Sequence, residues 1–465
     1  MARPFVASRP SQSPDRVNPV VVVGGGLSGL AAAVSLSSRR IPVILLEQRQ
    51  SPGGRAYSFP DAETGTIIDN GQHVLIAGYT RTMEFLETIG ARDLVTVQPV
   101  PELLFHHPER GFCSFRLPLL PSPLHLLAGV VATRLFSPAD KLRMLRAGLA
   151  LRSSSPAEST GSTVESWLDS LGQSRETKRS FWEPLAVAVM NEHIGAASAA
   201  VFIRALRTAF LSGPRGSALA IPTVGLSELY VEPARAFIER HGGVVRCSAD
   251  VTETEAEGGN VFSVRLKGGE TIRCSAVILA VPSYRAAGLL PDGLRDSGFL
   301  ARASSIPLSP IVSVHLWFER DVMKQDVIGV VGRRIQWVFN RRRISREKGE
   351  GGHLSVVISA ARSFVGMEND ELERIALEDL RSVFGAEIGN VTRAVVIREK
   401  RATFSCAPDV ESLRPGPASP LPNLFIAGDW TDTGYPATIE GAIMSGQRCA
   451  DLASLRTSGV PAGEA

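Results

Sequence analysis

The sequence predicts an α/β protein: a parallel sheet with crossover helices, joined to an α+β domain in which helices stand beside a mixed sheet. Three stretches carry that reading. From Val20 to Glu47 an apolar run, a glycine turn, a helical segment and a second apolar run follow one another. From Gly225 to Val281 a helix pattern gives way to strand-like pieces. From Leu424 to Ala442 a strand ends in Gly-Asp and leads through a loop into a helix. Together they describe a Rossmann-type domain assembled from distant parts of the chain.

The first stretch is the most informative. Val20 to Val23 is a continuous apolar run, as a strand buried on both faces requires. In the turn that follows, Gly24 makes the bend and Gly26 lets a pyrophosphate approach the backbone. Gly29 lets the helix pack closely on the sheet. The helix, from Leu30 to about Ser38, begins beside Leu27 and Ser28, whose region presents free N–H groups and a positive dipole end to phosphates. The second apolar run, Ile41 to Leu46, stops on Glu47. An acid there accepts hydrogen bonds from ribose hydroxyls, with Gln48 beside it. The combination predicts a dinucleotide site.

At 465 residues the chain has room for two or three domains and a large core. Its 44% hydrophobic and 21% charged residues are ordinary for a globular protein. A net charge of +3, with 50 Lys and Arg against 47 acids, gives no reason to expect nucleic acid as a partner. The five cysteines, Cys113, Cys247, Cys274, Cys406 and Cys449, show no C-x-x-C pair and no metal-ligand spacing. They read as reduced, mostly buried thiols of a cytoplasmic protein, and no metal is expected. Residues 1–16, rich in Pro, Ser and Arg, read as a disordered tail rather than a signal peptide, and 455–465 as a second tail.

After Glu47, Ser51-Pro52-Gly53-Gly54-Arg55 is expected to wrap a second loop over the diphosphate, with Arg55 giving charge-assisted hydrogen bonds. Ile67 to Asp69 then joins a short strand to the polar cluster Asn70-Gly71-Gln72-His73, expected beside the reaction site. Between about 85 and 220 the pattern changes. Phe115 to Phe136 is apolar, broken by Pro118, Pro121 and Pro123, and followed by Arg134, Lys141, Arg143 and Arg146. Apolar residues beside a basic rim fit a peripheral membrane contact or the mouth of a lipid tunnel, and equally a buried helix with surface arginines. Trp182 to Phe210 reads as two helices joined near Asn191 to Gly195. Leu226 to Arg240 is helical; Val244 to Arg246, Val251, Phe262 to Leu266 and Ala276 to Val281 are strand-like. Val312 to Phe318, Gln336 to Asn340 and Leu354 to Ser359 have strand chemistry and are expected to form the floor of a substrate pocket. The Arg341-Arg342-Arg343 run reads as a solvated loop. In the last helix, Gly441 with Ser445 and Ala442 with Gly446 make a small-residue face suited to packing on a cofactor or sheet.

The glycine turn, the Gly-Gly-Arg loop, the middle α/β return and the terminal Gly-Asp-plus-helix resemble the FAD-containing amine oxidase and phytoene desaturase superfamily over nearly the whole chain. The resemblance implies a glutathione-reductase-like FAD domain from 17–84, 225–285 and 396–454, with the substrate domain from 85–224 and 286–395. It implies that Gly24, Gly26, Gly29, Glu47, Gly54 and Arg55 hold the adenosine diphosphate end. The Val251 backbone would meet the adenine, Gly428 and Asp429 the diphosphate or ribityl chain, and Thr438 with Ile439 the isoalloxazine; Gly53, Gly71 and Gln72 are counted with them. Asp69-Asn70-Gly71-Gln72-His73-Val74-Leu75, Gln336 to Arg341 and Ala427 to Gly441 are most similar to the hydroxysqualene dehydroxylase family. Asn191-Glu192-His193 departs from that family's Asn-Thr-Pro, and Thr438 stands where monoamine oxidases place an aromatic cage residue. The implied activity is reductive removal of a hydroxyl from a long allylic isoprenoid alcohol, in squalene and hopanoid synthesis. It requires FAD, a reductant and a proton donor, for which His73, Asp432, Asp69 and His193 are the candidates in that order. An oxidative terpenoid desaturase or isomerase, an amine oxidase, and a flavin-binding membrane-surface partner without turnover are the competing readings.

Overall fold

The computed structural model describes residues 18–457 other than 154, 214, 348, 349 and 387. The expected tail at 1–16 lies outside them. The terminal helix runs Ile439–Thr457, past the expected start of the second tail at 455; the rest of that tail also lies outside the described residues.

Five strands form the parallel sheet, in the order Val244–Arg246, Val43–Leu46, Val20–Val23, Ala276–Leu279, Leu424–Ile426. The whole of Val20–Val23 is buried, because both faces of the sheet are covered. Val20 and Val22, with Val43, Leu45, Ala276, Ile278 and Phe425, pack on the helix Leu27–Ser38 and the terminal helix. Val21 and Val23, with Leu46, Val277 and Leu279, face the other way, toward Val251, Val261, Val264 and Leu266 of an antiparallel sheet. The strands of this sheet are drawn from more than 400 residues of sequence, yet each joins in register.

The small-residue face of the terminal helix meets a helix as well as the expected cavity. A Cβ on Gly446 would come 2.0 Å from the Ser28 carbonyl oxygen, so this part of the face packs against the glycine-turn helix. Ala442, one turn earlier on the same row, lines the cavity described below.

A seven-stranded mixed sheet forms the second layer. Its order is Val391–Phe404, Leu308–Phe318, Gly352–Ile358, Trp337–Asn340, Val327–Val330, Glu102–His107, Gly111–Arg116. Only Val327–Val330 and Glu102–His107 pair in parallel. Period-2 alternation splits its side chains. Val312, Val314, Leu316, Val338, Leu354 and Val356 meet Leu372, Ile375, Ala376 and Leu380 of the helix Asn369–Phe384. Ile311, Trp337, Phe339 and Val357 line the opposite, inner face. The hairpin of Ser58–Pro60 and Ile67–Asp69 is pinned to that face by the Asp61–Arg393 ion pair. Beyond the sheet edge, Phe115, Phe136, Phe181 and Trp182 pack edge to face and anchor the helices Glu183–Met190 and Ala199–Leu211.

Arg341 corrects the solvated-loop reading of the arginine run. It begins a short helix, Arg341–Ile344, and is 1% exposed, the largest fully buried side chain of the described residues. Its Nη1 donates to Gln72 Oε1 at 3.0 Å, and Nη2 lies 3.5 Å from Asp69 Oδ2. Arg342 and Arg343 remain at least partly exposed.

Candidate active site

One cavity of about 820 Å³ opens at the carboxyl ends of the parallel strands and continues over the inner face of the mixed sheet. Its first lining set is glycine-rich and polar, including Gly24, Gly26, Glu47, Arg55 and Asp429. Its second is apolar, including Leu185, Val189, Phe210, Ile311, Trp337 and Phe339.

The glycine turn sets the first set. Gly24 has φ +106°, and a Cβ there would stand 2.5 Å from the Ala280 carbonyl oxygen. A Cβ on Gly29 would fall 1.9 Å from the Gly24 carbonyl oxygen. Gly29 is thus a packing position, and it does not line the cavity. Gly26 is the opposite case: a Cβ there meets no protein atom within 4 Å. It heads the helix Leu27–Ser38, whose first turn has no side-chain cap. A cradle of open backbone and uncapped N–H groups is what a diphosphate fits. The second loop crosses it, as Gly53 N donates to the Gly25 carbonyl oxygen at 2.7 Å. Glu47, 6% exposed, accepts from Gly25 N at 2.7 Å through Oε2 and from Arg49 N at 2.9 Å through Oε1, which leaves lone pairs on both oxygens toward the cavity. Arg55 donates to Asp429 Oδ1 at 2.6 Å and to the Ala402 carbonyl oxygen at 2.7 Å, so these two expected cofactor residues also hold each other. Gln48, Gly54, Leu27, Ser28, Gly71, Gln72, Val251, Gly428, Thr438 and Ile439 all line the same cavity.

A model of flavin-containing amine oxidoreductases matches residues 27–453. The chain belongs to that family. It is 32% identical to the hydroxysqualene dehydroxylase of Sinorhizobium fredii over 94% of this chain and 99% of the relative. It is also 32% identical to the hydroxysqualene dehydroxylase of Rhodopseudomonas palustris, over 93% of this chain and 97% of the relative. Among solved structures, an oxidoreductase from Methanosarcina mazei superposes with a TM-score of 0.74 at 18% identity, covering 93% of this chain and 100% of that one. The protein is an FAD-dependent oxidoreductase, and the flavin-family member's cradle described above suits FAD.

The four acid candidates separate. His73 lines the cavity; its Nδ1–H donates to the Gly71 carbonyl oxygen at 2.8 Å, which leaves Nε2 as an acceptor. Burial lowers its pKa, so the ring is neutral near pH 7. The other three do not line the cavity. Asp69, 2% exposed, accepts from Ser58 Oγ at 2.7 Å and Leu226 N at 2.9 Å: it is a buried crosslink. Asp432 is exposed. His193 is exposed and paired through Nδ1 with Glu183, whose carboxylate raises its pKa. Spacing along the chain could not reveal which side of a loop each would occupy.

Glu399 was missed. It stands on the strand Val391–Phe404, opposite Ile311, and lines the cavity with Asn70, whose Oδ1 is buried without a partner. The other lining carboxylates are engaged: Glu47 by the glycine turn, Asp429 by Arg55, Asp250 by Arg285. Glu399 has no ion pair among the described residues; its contacts are Asn70 Nδ2 at 3.5 Å and Arg401 N at 3.3 Å. Inward alternation with Val395 and Ile397 was the available signal, masked by Arg398, Lys400 and Arg401 around it.

Proposed function

We propose that this enzyme removes the hydroxyl of hydroxysqualene, a long allylic isoprenoid alcohol, to give squalene. The observation that carries the reading is the continuity of the flavin cradle with an apolar chamber that holds few polar groups. A C30 hydrocarbon has almost no polar handles, so its binding must come from apolar burial at ~25 cal/mol per Å². Leu185, Val189, Phe210, Ile311 and Phe339 supply such a surface. The relatives named for hydroxysqualene dehydroxylation support the same substrate.

Gly26, Glu47, Gly54, Arg55 and Asp429, which line the cavity, would hold FAD, and the reduced cofactor would supply the hydride. The chain's own residues manage the leaving hydroxyl. Glu399 gives its carboxyl proton to the departing oxygen, so that water rather than hydroxide leaves. His73, neutral, accepts a hydrogen bond from the hydroxyl at Nε2 and orients it. Apolar walls exclude bulk water from the allylic carbon while positive charge develops there.

Entry of the lipid fits a surface patch. Leu119, Leu120, Leu124, Leu127 and Val131 are exposed, with Leu142 and Leu149 on the next helix, Pro138–Ser153. Arg134 and Arg146 are exposed beside them. Phe115 and Phe136, the ends of the stretch first read as a membrane contact, are buried, so only its middle is available. His125 Nε2 bonds the Phe210 carbonyl oxygen at 3.1 Å, which sets the patch's helix against the chamber wall. We infer that this patch rests on a lipid surface. Among the described residues no helix is long and apolar enough to cross one.

The test is product analysis: purified enzyme with reduced FAD and hydroxysqualene should yield squalene. Recovery of unchanged alcohol, or hydrogen loss from a polyene under oxygen, would replace this reading with an oxidative one.

A further inference from the structure

The loop from Asn70 to His73 lines the cavity, but its own backbone does little to hold it there. Asn70 N donates to the Tyr57 carbonyl oxygen at 3.1 Å, and strand pairing resumes only at Leu75, opposite Ala220. Among the described residues, the N–H groups of Gly71, Gln72, His73 and Val74 meet no hydrogen-bond acceptor. His73 is oriented by the loop itself, because the carbonyl oxygen that accepts its Nδ1–H belongs to Gly71. The direction of the ring therefore depends on whatever fixes the residues on either side of Gly71.

Arg341 grips both sides. Its Nη2 lies 3.5 Å from Asp69 Oδ2, before Gly71, and its Nη1 donates to Gln72 Oε1 at 3.0 Å, after it. Gln72 Nε2 continues to the His73 carbonyl oxygen at 3.5 Å. The side chains of Arg341 and Asp69 are 1% and 2% exposed, so solvent screens their attraction little. The base of the arginine is itself fixed. Asn340, fully buried before it, accepts from Arg343 N at 3.1 Å and donates to Asp321 Oδ1 at 3.2 Å. On the sheet beneath, the His315 ring, with Nδ1 3.1 Å from His353 Nε2, faces the Asp69 backbone. That contact braces Asp69 and stops there. Among the described residues, Arg341 is the one side chain from another element that bonds Gln72.

We propose that Arg341 is a positioning residue of this reaction: its planar fork spans Asp69 and Gln72 and so keeps His73 Nε2 turned to the leaving hydroxyl. This rests on the dehydroxylation reading. A guanidinium suits the task because two nitrogens in one plane reach two acceptors, whereas a lysine ammonium is a single point of charge. The two acceptors stand three residues apart with Gly71 between them. Satisfying both at once fixes the peptide carbonyl that sets the imidazole. Arg341 does not line the cavity, so it acts through His73 and not on the hydroxyl or the flavin.

The test separates position from stability. Arg341→Lys keeps the charge beside Asp69 and removes the fork. Folded, FAD-saturated enzyme should lose kcat on the order of 10- to 100-fold, with substrate KM at the parent value. In a His73→Gln background the same change should cost nothing further, because the residue it acts through is gone. Losses that multiply, or a parent-like kcat, overturn the proposal. Should Arg341→Lys fail to fold, Arg341→Met with Asp69→Asn removes both charges together and carries the same expectations. Separately, ¹⁵N spectra of histidine-labelled protein report the ring directly. The His73 signal, assigned as the one missing from His73→Gln, should show the Nδ1–H form in the parent and a mixture of tautomers in Arg341→Lys. An unchanged signal overturns the proposal as well. Should the parent form no squalene from hydroxysqualene, the functional reading fails, while the spectra still decide whether Arg341 holds the ring.

Discussion

Gly24 and Gly26 stand two residues apart in one turn and should respond differently to the same change. At Gly24 an added methyl meets a backbone carbonyl and an unfavourable positive φ, so Gly24→Ala should lower the melting temperature with or without flavin, by about 1–3 kcal/mol of stability. At Gly26 the methyl meets only the cradle. Gly26→Ala should leave the melting of flavin-free protein at the parent value and raise the FAD dissociation constant, read by flavin fluorescence. Equal effects on both proteins would mean that the open backbone is not the diphosphate site. Among the acids, Glu399→Gln should keep the flavin and lower kcat by about 10²–10⁴, the range of a lost general acid. Asp432→Asn and His193→Gln, both exposed and away from the cavity, should turn over as the parent does. The sequence identified His73 because it lies in a polar cluster next to a short strand and a glycine, and it placed Asp432, Asp69 and His193 after it in that order. Proximity in the chain says nothing about which side of a loop a carboxylate faces.

At the level of elements, the helix Thr80–Ile89 begins at Tyr79 without a side-chain cap of its own. Glu440, on the terminal helix, takes that role from a distance: its carboxylate accepts from Arg81 N at 3.1 Å, Thr82 N at 2.8 Å and Thr82 Oγ1 at 2.6 Å. Glu440→Ala leaves these buried donors without an acceptor and should cost about 1–3 kcal/mol, read as a fall in thermal or denaturant midpoint. The hairpin clamp responds to pH. Arg393 holds the Asp61 carboxyl well below the usual range. Because the folded value is depressed, its contribution is fully present above the unfolded pKa of about 4 and disappears as pH falls through the folded one. Acid unfolding should therefore begin below about pH 4, and Asp61→Asn should flatten that limb while lowering stability at neutral pH. A parent curve with the same acid limb as the variant would assign the limb to other carboxylates.

Across the whole molecule, the chamber, the flavin cradle and the exposed leucines form one sequence of environments from lipid to cofactor. Leu124→Glu with Leu127→Glu replaces two exposed positions and should reduce co-sedimentation with anionic vesicles while flavin content and melting stay at the parent values. Undiminished sedimentation would place lipid contact elsewhere. The apolar chamber is composed of residues from three separate regions: Leu185 and Phe210 from the helices, Ile311 and Phe339 from the mixed sheet, and Ala437 from the loop before the last helix. That is why a binding wall for a long hydrocarbon has no compact signature in the chain.

The amino-acid order by itself determined the strand–glycine turn–helix–strand unit with Glu47 at its tip, because each of its requirements is met within about thirty residues: an apolar run, a backbone without Cβ, a helix start and an acid. It also determined the flavin family, through the likeness of the turn and the terminal Gly-Asp segment. Only the folded chain decided that Arg341 is buried, that Glu399 and not Asp432 or His193 faces the cavity, and that His315 and His353 touch. Those outcomes depend on strand register across segments tens to hundreds of residues apart. A shift of one residue reverses which side chains face inward, and no local pattern of charge or hydrophobicity encodes that choice.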